Sequence, residues 1–274
     1  MLEAVLLFRE ALYGSLIIAV TCAVLGVYVV LRRIVFVGAA LAQVSSAGIA
    51  LAFWLAGHGI ATALASHPEA LSLAATLGSV MFFARPLRGP VPPDARIGVW
   101  YAVAAAAGIL LIAKAAVGEA HDIFLEGNIL GITNSDTLEL LVVCTPVLVA
   151  LFAFQKELLF TSFDRDTART LGYHVDLWDL GFYLVLGVVI SISMQFAGVL
   201  LVFNFLVLPA VTGLLLAGGM ASTFVFSLGS ALLAAMVGFA LSIRFDLPTG
   251  PSMIAVSGAL VILAWLVRRV QKRA

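Results

Sequence analysis

Too little of this chain is polar for it to fold in water. Charged residues make up 11% of its 274 positions against 63% hydrophobic, and the mean hydropathy is +1.15. A soluble domain needs about 25% charged residues to clothe its surface. Only two cysteines are present, Cys22 and Cys144, both inside apolar stretches, where a small buried hydrophobe explains them better than a disulfide or a metal pair. Net charge is zero and no basic run lies beside stacked aromatics, so nucleic-acid binding has no footing. A phosphate loop of the form G-x-x-x-x-G-K followed by Ser or Thr is missing, so the chain supplies no ATPase of that type. The first ten residues set Glu3 and Glu10 against a single Arg9, without the basic flank of a cleavable signal peptide, and the first apolar stretch is expected to stay in the mature protein.

What the chain has instead is hydrophobic runs, most of them close to the ~20 residues that a bilayer-spanning helix needs. Nine are legible, at 11–31, 37–56, 69–84, 97–116, 137–154, 178–196, 199–216, 223–243 and 251–267. The expected fold is all-α, a single polytopic transmembrane domain over 1–274 with eight or nine spans, eight if two adjacent segments form one broken helix. Arg32 and Arg33 follow the first run, Arg85, Arg88 and Arg96 the third, Lys156, Arg165 and Arg169 the fifth, and Arg268, Arg269, Lys272 and Arg273 the ninth. Basic residues collect on the cytoplasmic side of membrane proteins, so the N-terminus is expected outside and the C-terminus inside. The stretch 160–176 carries charge on one side and Phe160, Phe163, Ala168 and Leu171 on the other, ending at Gly172. It predicts a short amphipathic cytoplasmic helix. Pro209 within the seventh run and the Pro248 and Pro251 pair before the ninth predict helix breaks.

Polar residues inside the runs are few. Gln43, Ser45 and Ser46 lie among Ala39, Ala40, Ala42, Ala47 and Gly48, which permits close helix approach. They serve either as hydrogen-bonding glue between helices or as lining of a pathway, because a buried amide needs partners on several sides. Asn204, between Phe203 and Phe205, is the other intramembrane amide and has the same two readings. Met194 and Gln195 end the sixth run, where a thioether and an amide suit either a soft cation or edge packing. Outside the runs only Glu119, His121, Asp122 and Glu126 resemble metal ligands, with His121 and Asp122 the weak candidates and a solvated loop the alternative.

Three motifs carry a family resemblance. Arg32 and Arg33 followed by IVFVGAALAQVSSAGIA, then GVLLVFNFLVLPAVTG at 198–213, then FDLPTGPSMI at 245–254, resemble the membrane permeases of ABC transporters for zinc, manganese and iron uptake. DTARTLG followed by a span and GVLLVFNFLVLPA is similar, more distantly, to the vitamin B12 and siderophore permeases. The resemblance implies a bacterial inner-membrane homodimer, or a pair of related permease chains, in membrane lipid. It also implies two cytoplasmic ABC ATPase subunits that bind the ATP and Mg, an external solute-binding protein, and no cofactor on this chain. By position, the coupling element that meets the ATPase follows Pro209 at about 210–222, which includes Gly213, Leu214, Leu215, Gly218 and Gly219, with Arg165 and Arg169 of the cytoplasmic helix as helpers.

In two places the chain departs from its resemblance. Relatives often carry Arg in the coupling stretch, where Thr212, Gly213 and Leu214 are uncharged. Metal-uptake relatives place Asp and His four residues apart in the pattern G-D-x-L-A-H, one turn apart on one helix face. Here the same stretch reads Gly38-Ala39-Ala40-Leu41-Ala42-Gln43. Ala39 coordinates nothing, and a neutral amide is a weak ligand for zinc or manganese. The function that follows is the permease subunit of an ATP-binding cassette importer for divalent metal ions, with a non-metal or chelated substrate as the alternative. An intramembrane enzyme would need clustered acids, bases or ligands inside the spans, and a stand-alone channel would leave the cytoplasmic helix and the motifs unexplained. Single cysteines at Asp122 and Asp246 in a Cys-free background are expected to react with an impermeant thiol reagent from outside, and cysteines at Arg165 or Gln271 are not. Outside labelling at Arg165 would reverse the orientation.

Overall fold

The computed structural model describes residues 8–59, 67–84, 93–114 and 129–271. Among them are ten α-helices and a 3-10 turn at Ile129–Gly131, with no strand. The helices are α1 (Arg9–Leu31), α2 (Val35–Gly57), α3 (Pro68–Phe83), α4 (Pro93–Lys114), α5 (Asn134–Ala153), α6 (Gln155–Phe163), α7 (Arg165–Thr170), α8 (Val175–Leu216), α9 (Met220–Phe245) and α10 (Thr249–Gln271). Seven of these are long and apolar enough to cross a membrane, and α3 is a shorter apolar helix of 16 residues.

Local chemistry sets where the helices start and stop. Thr133 and Asp136 close a reciprocal capping box at the head of α5, satisfying donors that a helix start leaves free. Pro68 begins α3, where its missing N–H costs nothing. At the end of α1 the chain turns through Arg33 with φ 59°, and the Ile34 amide donates back to the Val29 carbonyl at 3.1 Å. Gly172 ends α7 with φ 87°, and the Tyr173 amide donates to the Ala168 carbonyl at 3.0 Å, the helix stop expected there. The stretch 160–176, however, is not one helix. Asp164 stops α6 and caps α7 by accepting the Thr167 amide at 2.9 Å.

Helix α8 is assigned across 42 residues, but Gly198 within it has φ 73° and ψ 166°. In a straight helix Ile190 and Leu206 would stand about 24 Å apart. A Cβ placed on Gly38 would nevertheless lie 3.3 Å from Leu206 and 4.0 Å from Ile190. The chain therefore folds back on itself at Gly198, and the halves before and after it pack side by side. Pro209, expected to break this helix, does not; it sits buried in the second half, where no other residue leaves helical backbone. Glycine is required at 198 because the positive φ strains any residue with a Cβ.

The two halves of α8 form the centre of the bundle, flanked by α1, α2, α3, α9 and α10. Leu186, Ile190, Leu201, Phe205 and Leu206 of α8 are fully buried with Leu25 and Tyr28 of α1 and Leu41 of α2. At Gly26 the α1 backbone meets the Leu206 carbonyl, so closely that a Cβ there would run into it.

The contacts also sort the charges. Arg32, at the end of α1, touches Thr161, Ser162 and Asp179, while Gly14 near its start faces Ile132 and Leu140. Arg165 reaches Asp179, Arg96 lies over Phe82 near the end of α3, and Arg268 reaches the end of α8. One end of the bundle thus gathers Arg32, Arg96, Arg165, Arg169 and Arg268 with Asp176 and Asp179 as partners, and the other carries Glu10 beside Arg9, Asp136, and Asp246 beside Arg244, near the ends of α1, α5 and α9.

Gly26→Ala is expected to cost about 1–3 kcal/mol through overpacking, read as a lower thermal midpoint of the purified chain in detergent. Gly78→Ala, whose new methyl would meet nothing within 4 Å, should hold or raise the midpoint. Equal midpoints for the two variants would contradict the tight crossing of α1 over α8.

Candidate transport site and coupling face

Ala39 and Gln43, one turn apart on α2, both face a cavity of about 410 Å³. Phe36 of α2, Ile97 and Tyr101 of α4, and Val199, Leu200 and Phe203 of α8 form much of the remaining wall. The first turn of helix after the Gly198 break therefore forms one side of this space. Only Gln43 and Tyr101 bring hydrogen-bonding side chains to it. Such a lining desolvates whatever enters and offers little in return to a bare divalent ion, whose preferred ligands are carboxylate, imidazole or thiolate.

The other polar residues of these runs face inward. Ser45 exchanges a hydrogen bond of 2.7 Å with Ser72, and Ser72 one of 2.9 Å with Ser191, a hydroxyl chain that joins α2, α3 and α8. Ser46 is buried beside it. The Asn204 amide donates to Ser257 on α10 at 3.0 Å, while its Oδ1 has no partner among the described residues. Met194 is buried in the core, and Gln195 donates back to the Ser191 carbonyl of its own helix at 3.3 Å. Apart from Gln43, the expected pathway residues Ser45, Ser46, Met194, Gln195 and Asn204 all lie outside the lining of the Ala39–Gln43 cavity. His121 and Asp122 lie outside the described residues, and among the described residues no group of three or more His, Cys, Asp or Glu could hold a metal ion.

At the arginine-rich end, the stretch that follows Pro209 is the last two turns of α8, a reversal through Gly218 and Gly219, and the first turn of α9; no separate helix stands between them. Gly213 is buried where α8 crosses α9, and a Cβ there would come within 2.5 Å of the Thr223 carbonyl. Leu214 and Leu215 are half-buried, and Gly218 and Gly219 are exposed. Arg268 donates to the Leu214 carbonyl at 3.4 Å, holding α10 to the end of α8.

Beside this turn is a charged node that the reading of the runs passed over. Asp179, buried in α8, accepts from Arg32 at 2.7 Å through one oxygen and from Arg165 through the other. The Arg32 guanidinium also donates to Ser162 at 2.8 Å and to Thr161 at 3.2 Å, and it lies 4.4 Å from the centre of the Phe182 ring. Burial, with Arg165 adding repulsion, lowers its pKa to about 10 against the opposing influence of Tyr183 and Tyr28. It stays charged at neutral pH, so the carboxylate faces a true cation. Arg169 pairs with Asp176 at 2.8 Å on the exposed side. A signal for the node was present, since Asp179 is a carboxylate within an apolar run, and such a group needs a partner.

The family model described as ABC-3, the ABC 3 transport family, matches residues 5–268. The chain belongs to this family. Among its ABC 3 relatives, the manganese transport system membrane protein MntB of Synechocystis is 28% identical over 259 residues, covering 94% of this chain and 81% of that one. A probable iron transport system membrane protein of Haemophilus influenzae is 26% identical over 265 residues, 97% of this chain and 95% of that one. Among solved structures, PsaBC of Streptococcus pneumoniae in complex with Fab superposes with a TM-score of 0.80 at 23% identity, over 94% of this chain and 90% of that one. That likeness is one of fold.

The double change Ala39→Asp with Gln43→His is expected to create a chelating pair on the cavity wall and measurable zinc or manganese binding by calorimetry on the purified chain. Each single change should do much less, because one ligand does not hold the ion. Tight binding by the unaltered chain through Gln43 would show that the missing ligands are dispensable.

Proposed function

We propose that this chain is the membrane-spanning permease of an ATP-binding cassette importer that moves a divalent metal ion, manganese or iron before zinc, across the bacterial inner membrane. The observation that carries this reading is the match of one transport family over 5–268 together with relatives named for manganese and iron transport systems. The arginine-rich end faces the cytoplasm, in keeping with the distribution of basic residues across membranes. Helix α8 crosses twice by virtue of its fold at Gly198, and with α3 the count becomes nine crossings. A second permease chain, identical or related, completes the pathway. A separate ATPase binds ATP and Mg on the cytoplasmic side, and an external binding protein delivers the substrate.

A second reading is favoured by one observation. The cavity beside Ala39 and Gln43 offers a neutral amide and a phenol where metal-uptake permeases of the resemblance carry Asp and His. A metal that travels inside a chelate, its charge already neutralised, suits such a wall better than a bare ion. Uptake of radioactive manganese and of chelated iron into proteoliposomes containing the reconstituted transporter separates the two. ATP-dependent uptake of neither would remove both.

The turn after α8 is the coupling element in this reading. Leu214→Asp or Leu215→Asp would put an unpaired carboxylate into the ATPase groove at a cost of about 3–5 kcal/mol if the contact is desolvated. Transport and substrate-stimulated ATP hydrolysis are expected to fall together while the chain still inserts. Full coupled activity in both variants would move the coupling element to α6 and α7.

A further inference from the structure

We propose that Asp179 is a positioning residue with one fixed and one releasable cation, through which α7 sets the angle of α8 when the ATPase engages. The proposal rests on the reading that the arginine-rich end meets the ATPase. Its two oxygens are treated unequally by the fold. Arg32 is held on all sides, by Asp179, Ser162, Thr161 and the Phe182 face, and its side chain is 7% exposed. Arg165 makes one ion pair, to Asp179, and its side chain is 56% exposed.

The helix that carries Arg165 is built to move as a piece. Helix α7 has six residues, of which only Ala168 is buried, and its ends are the extended turn at Asp164 and the left-handed turn at Gly172. Besides the backbone, its ties to the bundle are the Ala168 methyl, the Arg169 to Asp176 pair on the exposed side and the Arg165 to Asp179 pair. Two guanidinium groups on one carboxylate leave the node with a net positive charge. When Arg165 withdraws, Arg32 and Asp179 remain as a balanced pair, so no net buried charge is stranded, and the cost of release is the hydrogen bond that the second Asp179 oxygen gives up. When it returns, it adds repulsion to Arg32 as well as attraction to Asp179. The contact is therefore poised.

The lever is α8 itself. Asp179 lies in its second turn, and the first half runs about 28 Å from there to Gly198, beyond which Val199 and Leu200 wall the cavity beside Gln43. A small tilt at Asp179 displaces that wall. Forces on α7 thus reach the transport site through one carboxylate.

The test uses the assembled permease and ATPase complex and reads two quantities, the thermal midpoint and the substrate moved per ATP hydrolysed. Arg32→Gln should lower the midpoint strongly, because it removes the fixed partner of a buried charge. Arg165→Gln should change the midpoint little and lower the transport-to-hydrolysis ratio by about fivefold or more, the lower range of coupling between sites. Arg165→Lys, which keeps a cation in reach, should recover most of the ratio. A wild-type ratio in Arg165→Gln would overturn the proposal, and so would a loss of midpoint equal to that of Arg32→Gln, which would make Arg165 a structural pin. If the unaltered chain fails to couple with the ATPase at all, the coupling reading falls and takes the proposal with it; if the unaltered chain couples and Arg165→Gln couples equally, the proposal alone falls.

Discussion

The reversal of α8 at Gly198 is the constraint on which the bundle depends. With its positive φ this glycine lets two apolar segments, each long enough to fill the bundle, lie against one another. Helix α2 then finds both halves at Gly38, α1 meets the second half at Gly26, and α9 crosses it at Gly213. Without the reversal Gly38 could not meet both halves, because Ile190 and Leu206 would be separated along a single straight rod. Small residues at the crossings let backbones approach, which in lipid is what holds helices together, there being no hydrophobic gain from leaving a hydrocarbon solvent.

Polar groups are used sparingly within this frame, and several of them tie one helix to another. The Ser45, Ser72 and Ser191 chain ties α2, α3 and α8, and Asn204 with Ser257 ties α8 to α10. The only buried ion pair among the described residues is at the arginine-rich end, where Arg32 and Asp179 join α1 to α8. A buried pair of this kind is a poor source of net stability, since desolvation offsets attraction. Its value is geometric, because it fixes which ends meet.

The candidate site is defined as much by what its wall omits. The face of α2 occupied by Ala39 and Gln43 opens on the cavity, whereas Ser45 and Ser46 turn into the core. Of the side chains on that wall only Gln43 and Tyr101 can hydrogen-bond, and none carries a charge, so the cavity itself offers little to a bare cation.

Much of the architecture was legible beforehand because membrane insertion depends on composition and length. Apolar runs and the basic residues between them determine that the chain is a helical bundle with one arginine-rich end, and the motifs around Gly38, Gly198 and Pro248 place it among ABC permeases. The break between the sixth and seventh runs was legible as well, but its cause was not. A further break expected at Pro209, within the seventh run, does not occur, since in a packed bundle neighbouring helices can accommodate a proline, while the positive φ at Gly198 lets the two halves pack. Tertiary structure alone decided which serines bond across helices, that Asn204 reaches Ser257, and that Arg32, Arg165 and Asp179, up to 147 positions apart, share one carboxylate. Periodicity reports which face of a helix is apolar. It carries no record of which helix that face will meet, and that pairing is settled only when close approach, hydrogen bonding and charge are satisfied together.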